Sequence, residues 1–479
     1  MPQVLVASNR GPVAYTRAED GLNARRGGGG LVSGLSAIGA DADALWVCAA
    51  LGDADRAAAR RDGGRLPLAD TGGQRVRMLD IAPDVFADAY NGIANSVLWF
   101  VHHMLYQTPF EPVFDTAFEK AYAAYETYNT AFADALAEDA DEGASVLVQD
   151  YHLTLVPGLL RARRPDLRIG HFSHTPWAPP DYYRLLPDDT AAAVLRGVLG
   201  ADRAAFLTRR WAEAFAACCA DVLGAEVRRD GEALSVLHEG RTTRIGVHGL
   251  GADADFLRER AHRPDVEERL AALREQIGGD NRRTVVRVDR TELSKNIVRG
   301  LHAFRRLLED HPEWRERVVH LAFAYPSRQD LAVYRDYTAE VTRTAEEINA
   351  QHGTATWTPV VLHVEDDFAR SLAAYRLADV ALVNPIRDGM NLVAKEVPVV
   401  SDAGCVLVLS REAGAHEELS ADALSVNPYD VRGTARALDA ALRTPPEERA
   451  ERCKRLAAAA TALPPQRWFL DQLEALRAL

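Results

Sequence analysis

Five cysteines in 479 residues are too few and too scattered for a disulfide framework. Cys48, Cys218, Cys219, Cys405 and Cys453 are odd in number and follow no metal-ligand spacing, so reduced thiols in a cytoplasmic protein are expected. Long apolar runs are missing too, none approaching the ~20 residues that a membrane helix needs. The opening "MPQVLVASNRGP" has neither a basic flank nor a long apolar core, and is expected to begin a strand rather than to act as a secretory leader. There is no surplus of positive charge. A formal net charge of −13 argues against broad binding to nucleic acid or to an anionic membrane, while leaving room for local basic pockets. Neither a Walker sequence nor GxGxxG occurs near the first glycine cluster, and there are no internal repeats or low-complexity linkers.

What is present is ordinary for a soluble globular protein, with 47% hydrophobic and 26% charged residues. The length exceeds what one core supports, so two domains are expected. The second half is the more legible. β-Branched apolar runs at 283–288, 317–325, 358–364, 379–385, 405–410 and 423–428 alternate with amphipathic segments at 297–309, 329–350, 368–377 and 431–443. That alternation predicts a parallel sheet covered by helices on both faces, with ligands at the carboxyl ends of the strands. The first half shows strand-like runs at 3–9, 145–150 and 168–174, and helical patterns over 94–106, 111–138, 153–163 and 203–223. The turn-rich stretch 241–256 is read as the hinge, and 464–479, after "LPP", as a last helix. The resulting class is α/β, with two Rossmann-like domains: 1–245, 246–463, and a terminal helix 464–479 returning to the first. A glycosyltransferase, a two-lobed binding protein and a two-domain dehydrogenase all fit that outline.

Five stretches carry chemistry. "SNRGPV" ends the first strand at Arg10, and the glycines 27–30 open a helix-like segment; they are either a surface loop or a place where backbone approaches a ligand. In "VQDYHL", Asp150 ends a strand and either caps the next helix or faces a ligand. "FSHTPW" sets His174 at another strand end, as a structural residue or as a contact. "VDRTELSKN" places Arg290 and Lys295 after the first strand of the second half, where a forked guanidinium and a compact ammonium suit a diphosphate. "YPSRQD" adds Arg328 at the same edge. "NPIRDGMNLVAKE" combines Asp388, able to accept from sugar hydroxyls, with Gly389, Met390 and Asn391, whose amides open a helix. Glu396 lies one turn further on the same face as Leu392, suited to a ribose diol, and Lys395 reads as a surface lysine.

In this order the stretches resemble the retaining glycosyltransferases that make trehalose 6-phosphate. The resemblance covers nearly the whole chain. It is carried by "SNR", Gly29–Gly30–Leu31, "YNGIANSVLW", "DYHL", the His174–Pro176 motif, the five-residue spacing from Arg290 to Lys295, "SRQD", "RDGMNLVAKE", "VLSREAGAHEEL" and "VNPYD". It implies a GT-B architecture, two Rossmann-like domains facing across a cleft. The implied reaction moves glucose from a nucleoside diphosphate glucose (UDP-, GDP- or ADP-glucose) to glucose 6-phosphate, giving α,α-trehalose 6-phosphate. Arg10 and Arg328 would then clasp the acceptor phosphate, Tyr90 and Asp150 line the acceptor sugar, and Trp99 orient it. Gly29, Gly30, His174, Arg290, Lys295, Asp388, Gly389, Met390, Asn391, Leu392, Val393 and Glu396 would hold the donor. Phe368 aligns with a base-contacting position. Asp150, Arg290, Lys295 and Asp388 are expected to carry the chemistry.

The chain departs from the pattern in places. "VDRTELSKN" stands where "ERLDYSKG" is frequent, so Glu292 replaces an Asp. "LWVCAAL" lacks the "GWSGE" type of sequence, and "HTPW" stands for "HIPF". These changes bear on base preference and acceptor fit. The expected mechanism is a front-face transfer in which the leaving diphosphate takes the acceptor's proton. Two cations neutralise that diphosphate, so neither a metal nor another cofactor is expected. Small-molecule substrates, no nucleic acid, no membrane and an open possibility of homo-oligomers complete the expectations. A pseudo-glycosyltransferase using a cyclitol and a silent sugar-phosphate sensor are the alternatives; both are expected to have lost site residues that this chain keeps.

Overall fold

The computed structural model describes residues 3–18, 21–26, 44–279 and 281–479. Gly29 and Gly30 lie outside them. The chain divides into two compact units, residues 1–250 with 465–479, and residues 251–464.

Among the described residues the first unit is built on nine strands in the spatial order β5-β4-β1-β6-β7-β8-β11-β10-β9. In sequence these are β1 (Val4–Ser8), β4 (Ala44–Ala49), β5 (Arg75–Leu79), β6 (Ser145–Gln149), β7 (Arg168–Ser173), β8 (Arg203–Phe206), β9 (Glu226–Asp230), β10 (Ala233–His238) and β11 (Arg241–Val247). β2 (Val13–Ala18) and β3 (Gly21–Arg26) form a separate antiparallel hairpin. From β5 to β11 every neighbouring pair is parallel. β1 and β6 are buried along their whole length, as strands covered by helices on both faces must be. The order reverses between β1 and β6, because the chain winds outward through β4 and β5 before returning to start β6. A crevice forms at such a reversal, outside the carboxyl ends of the strands.

The second unit repeats the plan more simply. Its strands are β12 (Arg283–Arg290), β13 (Val318–Tyr325), β14 (Val360–His363), β15 (Val380–Val383), β16 (Val406–Ser410) and β17 (Leu424–Val426). They are all parallel, in the order β14-β13-β12-β15-β16-β17. The reversal falls between β12 and β15. Helices Ile297–Asp310, Ala332–His352, Phe368–Leu377 and Val431–Arg443 occupy the expected positions.

The first half corrects three readings. The segment 203–223 is not one helix: Arg203–Phe206 is β8, and the helix begins at Arg209 with the Thr208 hydroxyl capping it by accepting from the Trp211 amide. Its two alanines carried a helical signal that burial between β7 and β11 overrides. The stretch 241–256 is not uniformly turn: Arg241–Val247 is β11, paired with β8 and β10. The pattern 94–106 begins earlier, in an unbroken helical run that includes a π-helical segment, Asp88–Leu98. Residues 465–477 are helical, with Trp468 edge-on to Phe172 of β7 at 4.9 Å between ring centroids. Among the described residues no helix is long and apolar enough to cross a membrane.

Both sheets bury imidazoles. His171 in β7 and His320 in β13 are sealed from solvent, and burial pushes their pKa down to about 4 and about 3, from an ordinary 6.5. Nδ1 of His320 donates to the Val285 carbonyl at 2.9 Å, which fixes a neutral tautomer. The unfolded chain takes up protons below pH 6.5 that the folded one refuses, so the contribution to stability is full above 6.5 and is lost as pH falls toward 4. The unfolding free energy from denaturant titrations is expected to drop through this window by about 2–3 kcal/mol per imidazole. The variant His320→Asn should flatten the profile, and an unchanged slope in that variant would refute the assignment.

Candidate active site

In the first unit the residues singled out in the sequence gather at the β1/β6 reversal. Arg10 follows β1 and is exposed; its carbonyl accepts from the Ser8 hydroxyl at 2.8 Å. Asp150 follows β6 with φ 72°, a left-handed value that non-glycine residues adopt at a cost of about 1–3 kcal/mol and that concentrates at functional sites. Its amide donates to the Phe172 carbonyl at 2.7 Å, and its Oδ1 accepts from the His174 amide at 3.1 Å. The strand ends of β6 and β7 are thus tied together through this one residue.

Asp150 stands at the N-cap of the 3-10 turn Tyr151–Leu153 but makes no side-chain capping bond there, and helix Val156–Arg163 starts after Leu155. "DYHL" instead docks on the π-helical segment. The Tyr151 hydroxyl donates to Asn95 Oδ1 at 2.9 Å, and Tyr90 stacks on His152 with centroids 5.5 Å apart. Wide π-helical turns are frequent at functional sites, and here the widening is visible in the Trp99 amide, which donates to the Ala94 carbonyl five residues back. Trp99 is almost wholly buried, stacked on His103 at 3.8 Å and tilted against Tyr151 at 5.7 Å. His174 shares a 3.0 Å hydrogen bond with Gln149 Oε1 and leans on Phe172 and Trp468. Burial, reinforced by His171, pushes its pKa down to about 3, so it serves as a neutral hydrogen-bonding group.

In the second unit the residues converge at the β12/β15 reversal. Lys295 Nζ lies 2.5 Å from Asp388 Oδ2, joining the loop after β12 to the loop after β15. Burial pushes the Lys295 ammonium down, but Asp388, Asp289 and Glu292 outweigh it, and its pKa lies above the usual lysine value. Asn296, next in the chain, has φ 58° and donates from Nδ2 to the carbonyls of Asn384 and Pro428. Asparagine tolerates that left-handed conformation, which accounts for Asn296 where the resembling sequences carry glycine.

The loop Asp388–Leu392 is pinned from the other side by the turn after β16. The Asp388 amide donates to the Glu412 carbonyl at 3.2 Å, and the Gly414 and Ala415 amides donate to the carbonyls of Asp388 and Met390. Gly389 and Met390 are buried. The helix begins at Val393, two residues later than the sequence pattern suggests, because Asn391 turns left-handed (φ 73°) and its side chain spans Asp388 Oδ2 and the Ala394 amide. A left-handed residue followed by right-handed Leu392 turns successive amides toward one concavity, a shape that takes anions. Glu396 is half-buried; burial raises its pKa despite the 3.3 Å hydrogen bond it accepts from Tyr375.

Lys395 is not a surface residue. Its side chain is fully buried and its Nζ lies 2.7 Å from Glu418 Oε2, because it falls on the inner face of the helix Val393–Val400. Phe368 opens its helix with an exposed ring stacked on Phe256.

Two residues that sequence reasoning passed over stand beneath this site. Glu292, noted only as a departure, is completely buried and takes Arg290 on Oε1 at 3.0 Å and Arg328 on Oε2 at 3.1 Å. Arg287 is completely buried under Lys295 and donates to its carbonyl at 3.0 Å. A buried charge inside a strand is the signal that could have drawn attention to Arg287, since such groups require partners.

Known proteins resemble the chain along nearly its whole length. The model of glycosyltransferase family 20 matches residues 2–478. A probable alpha,alpha-trehalose-phosphate synthase (UDP-forming) of Arabidopsis thaliana is 33% identical over 484 residues, spanning 100% of this chain and 57% of that protein. The alpha,alpha-trehalose-phosphate synthase (UDP-forming) 2 of Aspergillus fumigatus is 34% identical over 95% of this chain and 92% of its own length. An E. coli structure described as trehalose-6-phosphate bound with UDP-2-fluoro glucose superposes with a TM-score of 0.86 at 28% identity, covering 100% of this chain and 99% of the other. A Burkholderia xenovorans synthase in complex with glucose-6-phosphate gives 0.84 at 26% identity, covering 99% and 100%. The two reversal-point sites, the parallel sheets that carry them and a family match over nearly every residue lead to one conclusion: the chain belongs to glycosyltransferase family 20.

Proposed function

We propose that the protein transfers glucose, with retention, from a nucleoside diphosphate glucose to the anomeric hydroxyl of glucose 6-phosphate, forming α,α-trehalose 6-phosphate. The observation that carries this reading is the Lys295–Asp388 pair at the β12/β15 reversal, with Arg290 at the end of the same strand. The relatives named above as UDP-forming synthases support it, and make uridine the first base to try.

Residues 246–463 hold the donor on this reading, and residues 1–245 with the terminal helix 464–479 hold the acceptor. Arg290 and Lys295 neutralise the diphosphate. Asp388 accepts from sugar hydroxyls, the amides from Met390 to Val393 face the sugar and phosphate with Gly389 beside them, and Glu396 accepts from the ribose. Gly29, Gly30 and His174 complete the donor contacts. Arg10 and Arg328 hold the acceptor phosphate, with Tyr90, Trp99 and Asp150 along its sugar. Positioning and charge stabilisation then supply the catalysis. The bond from the anomeric carbon to the leaving phosphate breaks on the face where the acceptor oxygen arrives, and that phosphate takes the acceptor's proton. Two fixed cations serve the diphosphate, so chelation by EDTA is expected to leave turnover within about twofold of its starting value. Glucose 6-phosphate as substrate and the five free cysteines fit a cytoplasmic location.

The test is incubation of the purified protein with glucose 6-phosphate and, separately, UDP-, GDP- and ADP-glucose, following nucleotide release and the disaccharide phosphate. Turnover with one of them, fastest with UDP-glucose, is expected. Tight binding of glucose 6-phosphate without turnover of any donor would replace this reading with that of a sensor.

A further inference from the structure

The second unit places on one carboxylate two arginines to which the reading above gives different substrates. Glu292 has no exposed surface. Its Oε1 lies 3.0 Å from Arg290 and accepts from the Ser327 hydroxyl at 3.1 Å, while its Oε2 lies 3.1 Å from Arg328. The two arginines are held very differently otherwise. Arg290 has a largely exposed side chain. The Arg328 side chain is nearly buried, donates to the Tyr334 hydroxyl at 3.1 Å, and lies over that ring at 5.5 Å. Arg328 also has φ 47°, a left-handed backbone that the surrounding contacts must maintain.

Two guanidiniums this close repel one another unless an anion lies between them. An anion that served only to keep the loop folded could pair with one arginine. Glu292 divides its two oxygens between both, and the Ser327 hydroxyl orients the carboxylate. We propose that Glu292 is a positioning residue that fixes Arg290 and Arg328 relative to each other, and so sets the donor diphosphate and the acceptor phosphate in register for transfer. This rests on the roles proposed above for the two arginines. Glu292 touches neither substrate. It competes with both phosphates for the arginines, so its charge weakens binding slightly while its geometry favours the reacting arrangement.

That combination predicts an unusual kinetic split. The variant Glu292→Gln keeps the shape, removes the charge and frees the two guanidiniums to move apart. Its kcat is expected to fall about 30–100-fold, while KM for both substrates stays within about threefold or decreases. Glu292→Asp keeps the carboxylate and should recover kcat to within about fivefold of wild type. Thermal unfolding of both variants, followed alongside, reports on the fold, and Glu292→Asp carries the test alone should Glu292→Gln not fold. An active wild type with unchanged kcat in Glu292→Gln, or with raised KM at constant kcat, overturns the positioning role alone. Equal losses in Glu292→Asp and Glu292→Gln overturn it as well. A wild type that turns over none of the three donors overturns both this inference and the function on which it rests.

Discussion

Alanine at Lys295 is expected to lower kcat by about 10²–10³-fold while KM for glucose 6-phosphate changes by less than about threefold. The reason lies in when the charge matters. A bound diphosphate already carries negative charge, but more accumulates on its terminal phosphate as the glycosidic bond breaks. An ammonium held in place before that moment stabilises the transition state more than the ground state. Lys295 is so held, by Asp388 at 2.5 Å and by a backbone carbonyl pinned from beneath by Arg287. The same substitution also strands Asp388 near another carboxylate, Asp289, so it is expected to destabilise the fold. Adding Asp388→Asn to Lys295→Ala should restore much of the unfolding temperature without restoring kcat. Recovery of both would show that Lys295 acts through the fold; a raised KM at constant kcat would show that it binds the ground state and the transition state equally.

How much of this was legible in the sequence varies with the kind of residue. In the second unit strands such as Val318–Tyr325 are buried on both faces and read as continuous apolar runs, so that sheet and its helices could be located to within a few residues. The first unit hid more. β8 is short and alanine-containing, β11 opens with four polar residues, Arg241 to Arg244, among turn-like neighbours, and both owe their form to the strands beside them. Among site residues, those that end a strand announced themselves: Asp150, Arg290 and Asp388 are polar residues following apolar runs. Glu292 did not, because a carboxylate two residues from an arginine looks like any solvated pair until its burial is known. Lys395 misled for the complementary reason. Its helical phase was correct, but its partner Glu418 lies on a different helix, His416–Leu419, and no local pattern announces a buried ion pair between elements.

Replacing Arg287 by methionine is expected to cost about 3–5 kcal/mol of stability, more than any other single change considered for the second unit. Arg287 is completely buried in β12. It reaches Asp289 Oδ2 from Nη2 at 2.7 Å and from Nε at 3.2 Å, Asn384 Oδ1 at 3.1 Å, and the Lys295 carbonyl at 3.0 Å. The chain makes room for it at Gly300, where a Cβ would lie 2.2 Å from Nη1. Methionine replaces the apolar stem of arginine and packs well, so most of the expected loss comes from the groups that the guanidinium leaves behind. Asp289 is buried, its pKa already raised by that burial in spite of Arg287 and Lys295, and without Arg287 it must be protonated or destabilise the sheet. The double variant Arg287→Met/Asp289→Asn is therefore expected to regain more than half of the lost stability in denaturant titrations, since an apolar residue beside a neutral amide costs less than a stranded charge. Its kcat should nevertheless stay below wild type, because the Lys295 carbonyl has lost its donor. Equal losses in the single and double variants would show that shape, not charge, is what Arg287 contributes beneath the site.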